Sequence, residues 1–135
     1  MVIERNTGLE AYAENGVAVN AQVSSELLLT IFYPNTALHD GAVIIREDQI
    51  IAAAAVLPLS NSRLADRYLG TRHRAALGIS EQTDAIAVVV SEETGTISVA
   101  HNGRMVRRLD ISRLRSVLLA FFQHRLQGRS WSQST

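Results

Sequence analysis

The stretch AVIIREDQIIAAAAV, residues 42–56, consists of two apolar runs joined by a short polar segment. The runs AVIIR and IIAAAAV have the length and composition of buried strands, and the polar Glu-Asp-Gln between them is typical of a hairpin turn. Four consecutive alanines in the second run indicate that a helix packs closely over it. Residues 42–56 therefore predict a buried β-hairpin covered by a helix.

Working outward from this hairpin, apolar periodicity and chain breakers divide the sequence into short strands and helices. Strands are predicted at VIER (2–5) and AIAVVVS (85–91), and a hairpin of TISVAH (96–101) and RMVRRL (104–109) around Asn102-Gly103. Helices are predicted at GLEAYAEN (8–15), VSSELLLTIF (23–32), TRHRAALGISEQ (71–82) and SRLRSVLLAFFQHRLQ (112–127). Thr71 is the expected N-cap of the third helix, and the fourth is expected to end at Gly128. Hairpins and crossovers together predict the α/β class, with a central mixed β-sheet flanked by helices. We expect residues 1–128 to form one domain and residues 129–135 a polar tail.

Composition limits the classes of function. The chain has 135 residues, 47% hydrophobic and 19% charged, as expected for one globular domain. Thirteen basic residues balance thirteen acidic ones, so any anion binding must come from local clustering. The absence of cysteine excludes disulfides and zinc–thiolate sites. No apolar run approaches the roughly 20 residues of a membrane-spanning helix, and no signal peptide is recognisable.

The segment LHDGA places His39 and Asp40 directly before the first buried strand. One interpretation is a simple turn, because Asp-Gly is common between elements. The other is a ligand site, in which Asp40 holds a divalent cation or a hydroxyl and His39 is a second ligand. Gly41 would then allow the ligand to approach the backbone. Taken alone, this segment favours the simple turn.

The segment GTRHRAALGISE breaks a rule of helix stability. Arg72, His73 and Arg74 crowd the first turn, where the helix dipole is already positive and each cation costs up to about 1 kcal/mol. Such local conflicts are typical of functional sites. A bound phosphate would relieve this one, helped by free backbone N–H groups and the Thr71 hydroxyl. The alternative is a solvated charged face or ion pairs, but the pattern favours phosphate binding.

The segment VVVSEETG supplies further polar groups after an apolar strand. Glutamates in a turn are usually only solvated. A carboxylate of Glu92 or Glu93, together with Asp40 and His39, would nevertheless suit Mg²⁺ or Mn²⁺. The Ser91 hydroxyl could bind a phosphate.

Two apolar stretches have structural explanations. The alanine run 52–55 is explained by helix packing, although it also leaves room for a flat base that the backbone around Leu57 could contact. The terminal helix is expected to pack on the core through Leu118, Leu119, Phe121 and Phe122.

Together the segments LHDGAVII, AAAAVLPLS, GTRHRAALGISE and VVVSEETG resemble the diadenylate cyclase (DAC) domain, in particular the membrane-anchored type of bacterial cyclic di-AMP synthase. The resemblance runs from VIERNTGLEAY to the final helix. It implies a mixed sheet wrapped by helices. It also implies condensation of two ATP molecules into 3′,5′-cyclic di-AMP with release of two pyrophosphates.

The resemblance also implies roles for individual residues. Asp40 would activate the ribose 3′-hydroxyl and help to hold Mn²⁺ or Mg²⁺ with His39 and one of Glu92 or Glu93. Leu57 would contact adenine through its backbone, next to Val56 where close relatives often carry an aromatic residue. The implied nucleotide-binding residues are Asp40, Gly41, Ala42, Leu57, Gly70, Thr71, Arg72, His73, Arg74 and Ser91. Those implied in catalysis are Asp40, Gly41, Arg72, His73 and Arg74.

The product implied by the resemblance has two-fold symmetry, so we expect a homodimer whose sites face each other across a two-fold axis. A membrane anchor would precede this sequence and hold the full-length protein at the cytoplasmic face of the bacterial membrane. A regulatory protein partner is not identifiable.

One rival interpretation is a catalytically silent nucleotide-sensing module, which the intact Asp40 and Arg-His-Arg triplet disfavour. Another is an interaction domain for RNA or an acidic partner, which the balanced charge and few aromatics disfavour.

Overall fold

The computed structural model describes residues 1–62, 70–91 and 93–128, and in the last range it describes side chains as far as residue 121. The elements in these ranges are β1 (Val2–Ile3), α1 (Glu10–Glu14), β2 (Val17–Gln22), α2 (Ser25–Phe32), β3 (Ala42–Arg46), β4 (Gln49–Ala55), α3 (Thr71–Gln82), β5 (Ile86–Val90), β6 (Ile97–His101), β7 (Arg104–Leu109) and α4 (Ile111–Gly128). The predicted tail 129–135 lies outside the described residues.

The described strands form one seven-stranded sheet in the order β2-β4-β3-β1-β5-β6-β7. The short β1 pairs in parallel with β3, whereas the other neighbouring strands are antiparallel. The mixed sheet predicted from the sequence is therefore confirmed. It places the start of β3 and the ends of β5 and β7 within one sheet.

Both predicted hairpins are present. β3 and β4 pair antiparallel across Glu47, which has a φ of 55° in the turn. β6 and β7 are joined by Asn102 and Gly103, whose φ values of 53° and 74° confirm the predicted type I′ turn.

Helices cover both faces of the sheet. On one face α1 and α3 contribute to a cluster with buried Ile44, Ala55 and Ile79. On the other face α2 packs over β3 and β4, and α4 packs over β5 and β6. The alanine-rich β4 contacts α1, as the small side chains predicted. The core thus fixes α3 against β5, β6 and β7, and the candidate site forms at the start of this helix.

Three details of the sequence prediction were wrong or incomplete. The edge strand β2 was missed because its residues are exposed or only half-buried and a register shift at Asn20 interrupts it. Gly70, not Thr71, is the N-cap of α3; Gly70 is extended, and its carbonyl accepts a hydrogen bond from the Arg74 N–H at 3.0 Å. Leu119 is 52% exposed, whereas Leu118 and Phe121 pack on the core as predicted. The Phe122 side chain lies outside the described residues.

Among the described residues, no helix is both long enough and apolar enough to cross a membrane.

Candidate active site

Two of the predicted motifs meet at the surface. Arg72, in the first turn of α3, places Nη2 3.7 Å from Oδ1 of Asp40, which precedes β3. The Asp40 side chain is 87% exposed and that of Arg72 39%, so water screens this ion pair and it contributes little to stability. Both side chains therefore remain accessible to a ligand.

Gly41 makes the transition from exposed Asp40 to buried Ala42 possible. Its φ of +104° lies in a region that other residues rarely adopt, and a Cβ there would lie 2.9 Å from the Ala54 Cα. Ala42 is the buried first residue of β3. Gly41 thus allows the exposed Asp40 to lie immediately before the buried start of β3.

His39 has a defined tautomer. Its Nδ1 lies 2.7 Å from the carbonyl oxygen of Thr36. Because a carbonyl can only accept, Nδ1 carries a hydrogen, and in the neutral imidazole Nε2 is the nitrogen with the lone pair. Metal-binding histidines are commonly oriented by such a bond, so Nε2 is suited to a divalent cation.

A cleft of about 580 Å³ lies between the start of α3 and the strands β5, β6 and β7. It brings together six of the residues predicted from the sequence: Gly70, Thr71, Arg72, His73, Ser91 and Glu93. Sequence reasoning missed its other lining residues: Val90, Thr94, Thr96, Ser98, Arg107 and Arg108. The adjacent arginines in RMVRRL, which break the alternation of a strand, were the available signal for the last two. Hydroxyls and guanidinium groups make this cleft suitable for phosphates.

The cleft favours the neutral form of His73. Partial burial lowers the pKa of its imidazole, and the positive charge of Arg107 lowers that pKa further. A neutral imidazole can donate a hydrogen bond to a phosphate without adding to the repulsion among the arginines.

Arg74 points to a different part of the molecule. Its Nη2 donates to the carbonyl of Ser60 at 3.3 Å, and the Ser60 N–H donates to the Arg74 carbonyl at 3.0 Å. The Ser60 hydroxyl donates to Glu81 Oε2 at 3.0 Å. Arg74 is not among the described lining residues of the cleft. It instead attaches the segment after β4 to α3.

The segment around Leu57 is held on both sides. Before it, the Asn15 side chain makes two hydrogen bonds to the backbone of Val56, of 3.1 and 2.8 Å. After it, Pro58 packs so closely on Gly78 that a Cβ at Gly78 would lie 1.8 Å from the Pro58 carbonyl oxygen. The backbone of Leu57 is therefore fixed relative to α3, while the Val56 side chain is 67% exposed beside it.

The predicted metal ligands are only partly assembled. Within 1–62, 70–91 and 93–121, where side chains are described, no three His, Asp or Glu side chains lie close enough together to hold a metal ion. His39 and Asp40 are adjacent in sequence, Glu93 lines the cleft, and Glu92 lies outside the described residues. The protein thus offers a partial set of ligands that suits Mg²⁺, which commonly combines one or two carboxylates with substrate phosphates and water.

Comparison with known proteins shows the family to which the chain belongs. The family model described as DAC, DisA bacterial checkpoint controller nucleotide-binding, matches residues 1–105. Cyclic di-AMP synthase CdaA of Bacillus subtilis (strain 168) is 53% identical over 130 residues, covering 96% of this chain and 48% of that protein. The chain therefore spans about half the length of that curated relative.

Two solved structures are similar over most of the chain. A double cysteine mutant of DacA from Staphylococcus aureus superposes with a TM-score of 0.85 and 50% identity, covering 88% of this chain and 79% of that one. A structure from Bacillus cereus, described as a hypothetical membrane spanning protein, gives a TM-score of 0.77 and 50% identity, covering 81% and 53%. Because the family model matches well over half of its residues, the chain belongs to the DAC family of nucleotide-binding domains.

Proposed function

We propose that this chain is the catalytic domain of a diadenylate cyclase, which condenses two ATP molecules into 3′,5′-cyclic di-AMP and releases two pyrophosphates. The observation that carries the proposal is the 3.7 Å approach of Arg72 to Asp40. It puts a carboxylate able to accept a hydroxyl proton beside an arginine able to bind a phosphate, at the edge of a polar cleft. Relatives named as cyclic di-AMP synthases support the same reaction.

Phosphoryl transfer depends mainly on positioning and on neutralising phosphate charge. Thr71, Arg72 and His73 would bind phosphate oxygens at the start of α3, where the helix N-terminus favours an anion. Ser91 would add a hydroxyl from the end of β5. In each half-reaction Asp40 takes the proton of a ribose 3′-hydroxyl, the oxygen forms a bond to the α-phosphorus of the other ATP, and the bond to pyrophosphate breaks.

His39 through Nε2, Asp40, and one of Glu92 or Glu93 would hold a divalent cation, Mn²⁺ or Mg²⁺, together with substrate oxygens. Such a cation lowers the pKa of a bound hydroxyl and neutralises phosphate charge. The fixed tautomer of His39 and the exposure of Asp40 support this assignment.

The adenine base would contact the backbone of Leu57. The two hydrogen bonds from Asn15 to Val56 and the close packing of Pro58 on Gly78 support this role, because they hold Leu57 in place before the ligand arrives. Gly41 and Ala42 would border the ribose. Arg74 would act as a positioning residue, since it joins α3 to the segment that follows Leu57.

The assembly we propose is a homodimer with its two sites face to face. A two-fold symmetric product needs two ATP molecules in opposite orientation, and the exposure of Asp40 leaves its site open to a second subunit.

Residues 1–128 would form this domain. In the full-length protein an anchor ahead of it would hold the domain at the cytoplasmic face of the membrane, which the longer relatives and the membrane spanning neighbour support. A regulatory protein partner is left unassigned, and no nucleic acid is involved.

The test is direct. The purified chain is incubated at high concentration with ATP and either Mn²⁺ or Mg²⁺, and cyclic di-AMP is measured by chromatography. Asp40→Asn should make no product, whereas Asp48→Asn, which removes an exposed carboxylate in the β3–β4 turn, should remain active. ATP binding without product in the parent would instead establish the silent sensing module. Full activity of Asp40→Asn would remove Asp40 from the mechanism.

A further inference from the structure

A bulge in β7 faces the cleft. β6 and β7 pair at Ile97↔Leu109 and again at Val99↔Val106, so a single β6 residue, Ser98, lies opposite both Arg107 and Arg108. Arg108 has a φ of 59°, which belongs to the left-handed region and marks the irregularity.

The bulge changes where the two arginines are directed. In a regular strand, consecutive side chains point to opposite faces of the sheet. A bulge interrupts this alternation and redirects a side chain, and bulges are common beside active sites. Here Arg107 and Arg108 line the same cleft, together with Ser98 and the start of α3. The bulge therefore allows both guanidinium groups to face the same cleft.

The two arginines concentrate positive charge in a chain of zero net charge. The charged side chains described around the cleft are three arginines, Arg72, Arg107 and Arg108, and one carboxylate, Glu93. The lowered pKa of His73 favours its neutral form, so it adds little positive charge. Among the described residues, neither Arg107 nor Arg108 is in an ion pair, whereas Arg46 is paired with glutamates at 2.7 and 2.9 Å. Arg107 and Arg108 thus add positive charge that no described ion pair balances, which indicates an anionic ligand.

We propose that Arg107 and Arg108 bind the β- and γ-phosphates of ATP and the pyrophosphate formed from them; this inference rests on the proposed function. Asp40, assigned to the ribose, is not among the described lining residues, and it meets the cleft through Arg72. The cleft therefore receives the phosphate chain, with Arg72 nearest the ribose and β7 supplying the wall across from α3. Guanidinium groups bind phosphate oxygens bidentately and suit the charge that develops on a pyrophosphate leaving group.

The inference is tested by binding, which needs no turnover. Arg107→Gln and Arg108→Gln are compared with Arg104→Gln, which removes an exposed arginine of the same strand that does not line the cleft. Calorimetry gives the affinity of each variant for ATP, for AMP and for inorganic pyrophosphate. Thermal unfolding confirms that each variant is folded.

Each cleft variant should bind ATP and pyrophosphate about 10-fold more weakly or worse, the loss expected for one charged hydrogen-bond donor. Affinity for AMP should stay within about two-fold, and Arg104→Gln should match the parent with every ligand. Unchanged pyrophosphate affinity, or an equal loss for AMP, would overturn the inference. If a glutamine variant does not fold, the lysine variant replaces it and should lose about three-fold because lysine lacks the bidentate fork; parental affinity would again overturn the inference.

The outcomes separate the inference from the function on which it rests. A parent that makes cyclic di-AMP, with variants that bind pyrophosphate normally, overturns only the inference. A parent that makes no product, with pyrophosphate binding that depends on both arginines, overturns the cyclase activity and retains the anion site.

Discussion

The Asp40 carboxylate lies 3.7 Å from the Arg72 guanidinium, which joins the start of β3 to the start of α3 at an exposed edge of the sheet. A solvent-exposed pair of this kind adds at most about 1 kcal/mol to stability. In the proposed reaction this pair sets a proton acceptor, Asp40, beside a phosphate-binding group, Arg72. Mutations can separate residues that contact the ligand from residues that hold the site in shape.

Arg72 and Arg74 should behave differently although they belong to one triplet. Arg72→Ala should weaken ATP and pyrophosphate binding about 10-fold, because it removes a charged donor from the cleft. Arg74→Ala should lower the free energy of unfolding by about 1–3 kcal/mol, since it leaves the buried Ser60 carbonyl without that donor. Urea unfolding and calorimetry measure both effects. Normal stability with lost pyrophosphate binding in Arg74→Ala would make Arg74 a direct phosphate ligand.

Gly78 should tolerate no side chain. Alanine would place its Cβ 1.8 Å from the Pro58 carbonyl oxygen, so α3 and the segment that follows Leu57 would have to separate. We expect a loss of about 2 kcal/mol or more in unfolding free energy, despite the better helix propensity of alanine, together with weaker AMP binding.

Gly70→Ala is the matched control for Gly78, because a Cβ at Gly70 meets nothing within 4 Å. Its cost should stay below about 1 kcal/mol, as expected for a change at an N-cap. Equal stability of the two alanine variants would contradict the close packing described at Gly78.

His73 should titrate below the ordinary histidine range. Burial and Arg107 both lower its pKa, so Arg107→Gln should raise the midpoint of the His73 ring signals measured by NMR, although burial keeps it depressed. Arg5→Gln is the control: Arg5 lowers the pKa of His101, so this change should move His101 and leave His73 in place.

The lowered pKa of His73 makes its contribution to stability depend on pH. The folded protein holds the His73 proton more weakly than the unfolded chain, so the His73 contribution to stability decreases as the pH falls through about 6.5. His101 contributes in the same direction, because its pKa is also lowered. Urea unfolding at several pH values should show less of this decrease in Arg107→Gln; an unchanged slope would contradict the proximity of Arg107 to His73.

His39 should matter for metal binding and not for the fold. His39→Ala should raise the Mn²⁺ concentration needed to saturate the ATP complex by about 10-fold or more. Free Mn²⁺ is measured by electron paramagnetic resonance, which does not depend on turnover. Chelation should leave the unfolding temperature unchanged, since the described residues contain no group of three metal ligands. Parental Mn²⁺ affinity in His39→Ala would exclude it as a ligand.

The sequence by itself determined the local elements and the chemical character of the site. Strong signals, such as the apolar runs of β3 and β4 and the Asn102-Gly103 turn, depend on neighbouring residues alone and were confirmed. The Arg72-His73-Arg74 triplet predicted an anion site because its conflict with the helix dipole is also local.

Tertiary structure alone decided which of these groups meet. The placement of Arg107 and Arg108 in the cleft depends on a register shift between two strands, and the direction of Arg74 depends on packing against Ser60. The edge strand β2 was missed for the same reason, since its pairing with β4 and not its own pattern defines it. A sequence pattern reports periodicity along one segment, whereas register, bulges and side-chain direction are set by contacts between segments distant in the chain.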